Sequence, residues 1–62
     1  MTHLLDKKAQ IDNFLTNDPK NKQGEIGTII SIKEIDDEDY EFRIKFDDGV
    51  VGIYEQDTFE IL

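Results

Sequence analysis

Residues 40–54 read Tyr40-Glu41-Phe42-Arg43-Ile44-Lys45-Phe46-Asp47-Asp48-Gly49-Val50-Val51-Gly52-Ile53-Tyr54. The first seven alternate strictly between apolar and charged side chains. That period of two is the signature of a strand with one face in a core and the other in water. Asp47-Asp48-Gly49 follows, and an Asp-Gly pair supplies the backbone freedom that a two-residue hairpin needs. Residues 50–54 are therefore predicted to return antiparallel to residues 40–46. Gly52, in the middle of the returning strand, marks an expected bend.

Working outward, residues 25–33 are rich in β-branched side chains and read as the preceding strand. Ile26, Thr28, Ile30 and Ile32 fall on one face, and Gly27, Ile29 and Ser31 on the other. Apolar residues on both faces predict a strand covered on both sides, and Gly27 predicts a bulge or bend. Between these strands lies Glu34-Ile35-Asp36-Asp37-Glu38-Asp39. It reads as an acidic loop, with Ile35 reaching back to the core. After the hairpin, Glu55-Gln56-Asp57-Thr58 leaves room for one 3₁₀ turn, and Phe59-Glu60-Ile61-Leu62 closes the chain as a last short strand.

Residues 1–18 are assigned to an N-terminal amphipathic α-helix. Leu4, Ile11 and Leu15 fall within about 40° of one another at 100° per residue, with Phe14 at the edge of the stripe. Pro19 disfavours helical geometry at Asp18 and ends the helix. One apolar stripe is too little to fold alone, so the helix is expected to lie on the strands or on another chain. Residues 19–24 form a polar loop containing Pro19 and Gly24.

Strand, long loop, strand, tight turn, strand, short 3₁₀ link and strand is the element order of a small barrel. Residues 24–62 resemble the Tudor/KOW group of SH3-like barrels. The residues that carry the resemblance are Gly27-Thr28-Ile29-Ile30, the hairpin from Tyr40 to Gly49, and Phe59-Glu60-Ile61-Leu62. The expected fold is thus mainly β: an N-terminal helix over residues 1–18, a loop over 19–24, and a four- to five-stranded antiparallel SH3/Tudor-like barrel over 25–62. Many unrelated functions use such a barrel.

The chain has 62 residues and a net charge of −8. A chain this short buries only about 60% of the surface it exposes when unfolded. It has no cysteine and its only histidine is His3, so no disulfide or Cys/His metal centre is expected. Ser31 is the only serine, and with one imidazole there is no nucleophilic constellation. No enzyme activity, catalytic residue, cofactor or metal is predicted. No apolar run approaches the ~20 residues of a bilayer span. Asp6, Lys7, Lys8 and Asp12 interrupt what would have to be the core of a secretory signal. No membrane association is expected, and a cytoplasmic location is.

Charge is segregated along the chain. Residues 1–33 sum to +1, whereas residues 34–62 set eleven acids against Arg43 and Lys45 for −9. Phosphate recognition needs the opposite sign, so direct nucleic-acid binding is not expected. The leading reading is a small acidic, non-enzymatic protein–protein interaction module whose partner is another protein of basic character. Its contact residues are placed on the helix stripe, Leu4, Ile11, Phe14 and Leu15, and on the acidic rim, Asp36, Asp37, Glu38 and Asp39 with Tyr40 and Tyr54. The stripe also offers a route to self-association. The alternative is an acidic inhibitor or nucleic-acid mimic that occupies a basic nucleic-acid-binding enzyme through electrostatic complementarity. A third reading follows from the Tudor resemblance alone. It implies an aromatic cage for modified basic side chains, with Tyr40 and Tyr54 as walls and Asp48 or Asp57 as acidic partner. Here Asp47-Asp48-Gly49 stands where Tudor domains often carry Asp-Tyr-Gly, which removes one wall.

Overall fold

In the computed structural model, which describes residues 2–16 and 18–62, five strands form one antiparallel sheet: β1 (Lys8–Ile11), β2 (Ile26–Glu34), β3 (Tyr40–Phe46), β4 (Val51–Tyr54) and β5 (Phe59–Ile61). Their order across the sheet is β4-β3-β2-β1-β5. Short 3₁₀ turns occupy Thr2–Leu4 and Gln56–Thr58. The sheet is not closed into a barrel by hydrogen bonds, since β4 and β5 remain its two edges.

The N-terminal α-helix is not formed. Met1 and Asn17, near the ends of the expected helix, lie outside the described residues. Between them the chain makes a 3₁₀ turn, passes through a left-handed residue at Asp6 (φ 66°) and enters β1. Ala9 is opposite Gly27 on β2 and Ile61 on β5. The strand wins because it joins two edges. β1 satisfies backbone groups of both β2 and β5, whereas a lone four-turn helix would satisfy only itself. The spacing of Leu4, Ile11 and Leu15 fits a helix, but the alternation Lys8-Ala9-Gln10-Ile11 fits a strand. Ala9 and Ile11 are buried while Lys8 is exposed.

The core is Ala9, Ile11, Ile29, Phe42, Ile44, Phe46 and Tyr54, with Leu4, Leu15, Ile32, Tyr40 and Phe59 packed against it. The inward face of β3 is the one its alternation predicts. The hairpin differs in detail from expectation. The Phe46 carbonyl accepts from Gly49 N–H, and Phe46 N–H donates to the Val50 carbonyl. Three residues, with Gly49 at φ 85°, therefore make the turn, and neither aspartate leaves the ordinary φ range.

β2 departs further from its sequence reading. Pairing with β3 runs Ile29↔Ile44 and then Ser31↔Arg43, so Ile30 is an extra residue in a β-bulge. Before it, Gly27 and Ile29 face the core. After it, Ile32 does, opposite Phe42. The bulge lies at Ile30 and not at Gly27. Gly27 serves close packing instead, because a Cβ there would lie 2.6 Å from Ile44 Cγ2 and 2.8 Å from the Lys45 carbonyl oxygen. The outer face of β2 is uncovered, with Ile26 47% and Ile30 45% exposed. Ile35 is exposed as well and does not reach the core.

The connection from β1 to β2 is stapled by side chains. The Asp18 carboxylate accepts from the backbone N–H groups of Lys20 and Lys22 at 2.9 Å each and from the Tyr54 hydroxyl. Lys22 Nζ donates to Asp48 Oδ2 and lies 5.4 Å from the centre of the Phe46 ring. This buried lysine and aspartate tie the loop to the β3–β4 hairpin and to β4.

Candidate interaction surface

The loop joining β2 to β3 is ordered by its own backbone. Ile35 N–H donates to the Asp39 carbonyl at 2.9 Å. Asp36 Oδ1 accepts from the N–H groups of Glu38 and Asp39 at 3.0 Å each. These two donors hold the Asp36 carboxyl below its usual value. Asp36 is thereby committed to the loop, while Asp37, Glu38 and Asp39 face solvent.

The link from β4 to β5 brings a second acidic segment beside this loop. The 3₁₀ turn is held by Thr58, whose N–H and hydroxyl both donate to the Glu55 carbonyl, at 3.1 and 2.7 Å. Its fold places Glu55, Gln56 and Asp57 across a groove of about 310 Å³ from Ile35, Glu38, Asp39 and Tyr40. Four carboxylates thus line one groove with a half-buried tyrosine and an exposed isoleucine. The arrangement suits a cationic side chain with an aliphatic stem. Among the described residues, no three His, Cys, Asp or Glu side chains converge to hold a metal ion.

The other residues singled out from the sequence go to different places. Leu4 and Leu15 pack on the core and Ile11 is buried within it, so the stripe does not exist as a surface. Phe14 alone of the four is open to a partner, at 87% exposure. Tyr54 is buried in the core and lines a separate groove of about 200 Å³ with Leu15, Asp18, Pro19, Ile53, Glu55 and Thr58. Burial first, then its bond to Asp18, raises the Tyr54 hydroxyl well above its ordinary value. Tyr40 and Tyr54 line different grooves, and Tyr54 spends its hydroxyl on Asp18. Glu55 was not among the residues singled out, and Asp57 entered only through the resemblance. Their own segment signals no more than a polar link. Their placement depends on β5 turning back to β1, which carries the link past the β2–β3 loop.

No protein family, no curated protein and no solved structure matches the chain.

Proposed function

We propose that this chain is a small acidic protein–protein interaction module of the SH3/Tudor-like type, whose acidic end docks on a basic segment of another protein. The architectural part rests on the strand order β4-β3-β2-β1-β5, the return of β5 to β1, and the 3₁₀ turn just before β5. The functional part rests on one observation. Two acidic segments distant in sequence, Glu38-Asp39 and Glu55 with Asp57, face each other across the groove beside Tyr40. The groove is fixed by backbone hydrogen bonds, so little ordering cost is left for binding.

Titration with a lysine- and arginine-rich peptide, followed by amide chemical shifts, tests this reading. Shifts confined to residues 35–40 and 55–57 are expected, and they should weaken as salt rises. The Glu38→Lys/Asp57→Lys variant should lose them. Shifts spread over the whole molecule, or unaffected by the double reversal, would sink it.

A second reading is favoured by the grouping of six of the fifteen acids, Asp36 to Asp39 with Glu55 and Asp57, on two neighbouring segments. Such a grouping suits occupation of a nucleic-acid-binding surface. Competition separates the two readings. A mimic displaces duplex DNA from a basic DNA-binding protein at low salt, whereas a peptide-docking module leaves that complex intact.

A further inference from the structure

The outer face of the sheet has a character opposite to that of the whole chain. Arg43 and Lys45 project from β3 beside Ile53 and Val51 of β4, their cross-strand partners. Lys45 is also paired with Thr28, whose hydroxyl accepts from Lys8 Nζ at 2.8 Å. Ile30, pushed out by the bulge, stands 45% exposed next to them, and Ile53 is 55% exposed. The only acid on β3 is Glu41, which lies 3.6 Å from Arg43. Across β2, β3 and β4 a chain of net charge −8 therefore presents a cationic, aliphatic face with no aromatic on it, while Glu60 on β5, opposite Gln10, is a further acid on this side of the sheet. That composition does not suit stacked bases. It suits an acidic polypeptide segment carrying an aliphatic anchor.

The chain itself holds such a segment. The β2–β3 loop offers Asp37, Glu38 and Asp39 around Ile35, which is 58% exposed, on a backbone already fixed by hydrogen bonds. We infer that the outer sheet face of one copy receives the β2–β3 loop of a second copy, a head-to-tail contact. Ile35 would lie against Ile53 and Ile30, with the loop carboxylates toward Arg43 and Lys45. The two surfaces differ, so the contact need not close into a symmetric pair. Its small area makes it weak. Overall charge also shapes it. At about 10 mM salt the Debye length is ~30 Å and the whole like-charged molecules repel, whereas near 150 mM it is ~8 Å and local complementarity dominates. Association therefore peaks at intermediate salt and declines again toward 1 M.

The inference shares the acidic loop with the docking reading above but depends on a different face, so the two fail separately. Sedimentation equilibrium up to about 1 mM is run on the wild type, on the face variant Arg43→Glu/Lys45→Glu and on the loop variant Asp37→Lys/Glu38→Lys, near and away from 150 mM salt. The wild type should show a concentration-dependent mass. Each variant alone should stay monomeric. Their equimolar mixture should show a concentration-dependent mass above that of either variant alone, because the intact loop of one meets the intact face of the other. Ile53→Ser, which changes no charge, should weaken wild-type association. A wild type that stays monomeric throughout, a face variant that still associates, or a mixture no heavier than its components would each overturn the assignment. The face variant should keep the peptide-induced shifts at residues 35–40 and 55–57. Absence of those shifts in a wild type that still associates would count against the docking reading alone.

Discussion

The Tyr54 hydroxyl donates to the Asp18 carboxylate, 3.2 Å from Oδ1 and 3.1 Å from Oδ2, and both residues are buried. The bond spans 36 positions of sequence and ties the β1–β2 loop to an edge strand. Tyr54→Phe keeps the ring and removes only the donor. The carboxylate is then left with the N–H groups of Lys20 and Lys22. A hydrogen bond to a charged group is worth about 1.5–3 kcal/mol, so chemical denaturation should show a loss in that range. The variant should also change the response to alkali. The folded state holds the Tyr54 proton to higher pH than the unfolded state does. Its contribution is complete below the ordinary tyrosine value and is lost as pH rises through the raised one. Lys22, raised chiefly by its hydrogen bond to Asp48, adds to the same alkaline decline. Stability measured above about pH 10 should therefore fall less steeply in Tyr54→Phe than in the wild type.

Glycine substitutions should separate crowding from backbone strain. A Cβ on Gly52 would lie 2.5–2.9 Å from the Tyr54 ring and hydroxyl. Gly52→Ala must push the ring away from Asp18, at about 1–3 kcal/mol. A Cβ on Gly49 would meet nothing within 4 Å, but φ there is +85°. Gly49→Ala should cost only about 1–2 kcal/mol, through the left-handed backbone alone. Combined with Tyr54→Phe, the Gly52 change should be less than additive and the Gly49 change additive, since only Gly52 touches Tyr54.

Strands β2 to β5 and the 3₁₀ turn before β5 are legible in the sequence, because alternation, β-branching and Asp-Gly each report on local geometry. The phase of β2 is not. A bulge adds one residue to a period of two, and nothing about Ile30 distinguishes it from Ile32 until its pairing with β3 is known. β1 is hidden for another reason. Its four residues sit inside a stretch whose apolar spacing also fits a helix, and what decides between them is the pair of edges that β2 and β5 present. Of the acidic surface, residues 36–39 are visible as a run. Glu55 joins them only through topology, and Tyr54 leaves the surface because Gly52 lets its ring fold back over the strand.

Acid sensitivity should centre on Asp48. The Lys22 hydrogen bond, and then the Val50 N–H, hold its carboxyl below the ordinary range. A depressed carboxyl stabilises the fold above its unfolded value and loses that contribution as pH falls through the folded one. Asp48→Asn should lower stability at neutral pH. The gap between variant and wild type should close as pH falls through the depressed folded value, because the wild-type carboxyl then becomes protonated in both states. Asp36→Asn should show the same convergence, since its carboxyl is lowered by backbone donors. A thermal melt series from neutral to acid pH measures both. A gap that persists into acid would mean that the residues act through packing and not through charge.

The clearest discrimination between strand and helix in the first part of the chain comes from comparing three substitutions. On a helical stripe Phe14 would be a packing residue and Ala9 would be free of close neighbours. In the sheet the order is reversed. Phe14 is 87% exposed, with its N–H donating to Asp12 Oδ1, while Ala9 is fully buried between Gly27 and Ile61. Phe14→Ser should change stability by no more than about 0.5 kcal/mol. Ala9→Leu must force methyl groups into the filled core, at about 1–3 kcal/mol. Phe42→Ala, which empties a site at 0% exposure beside Phe59, gives the scale at about 3–5 kcal/mol. Denaturant midpoints of the three variants measure the order. If Phe14→Ser proved as costly as Phe42→Ala, residues 3–16 would have to pack by a stripe and the placement of β1 between β2 and β5 would be wrong.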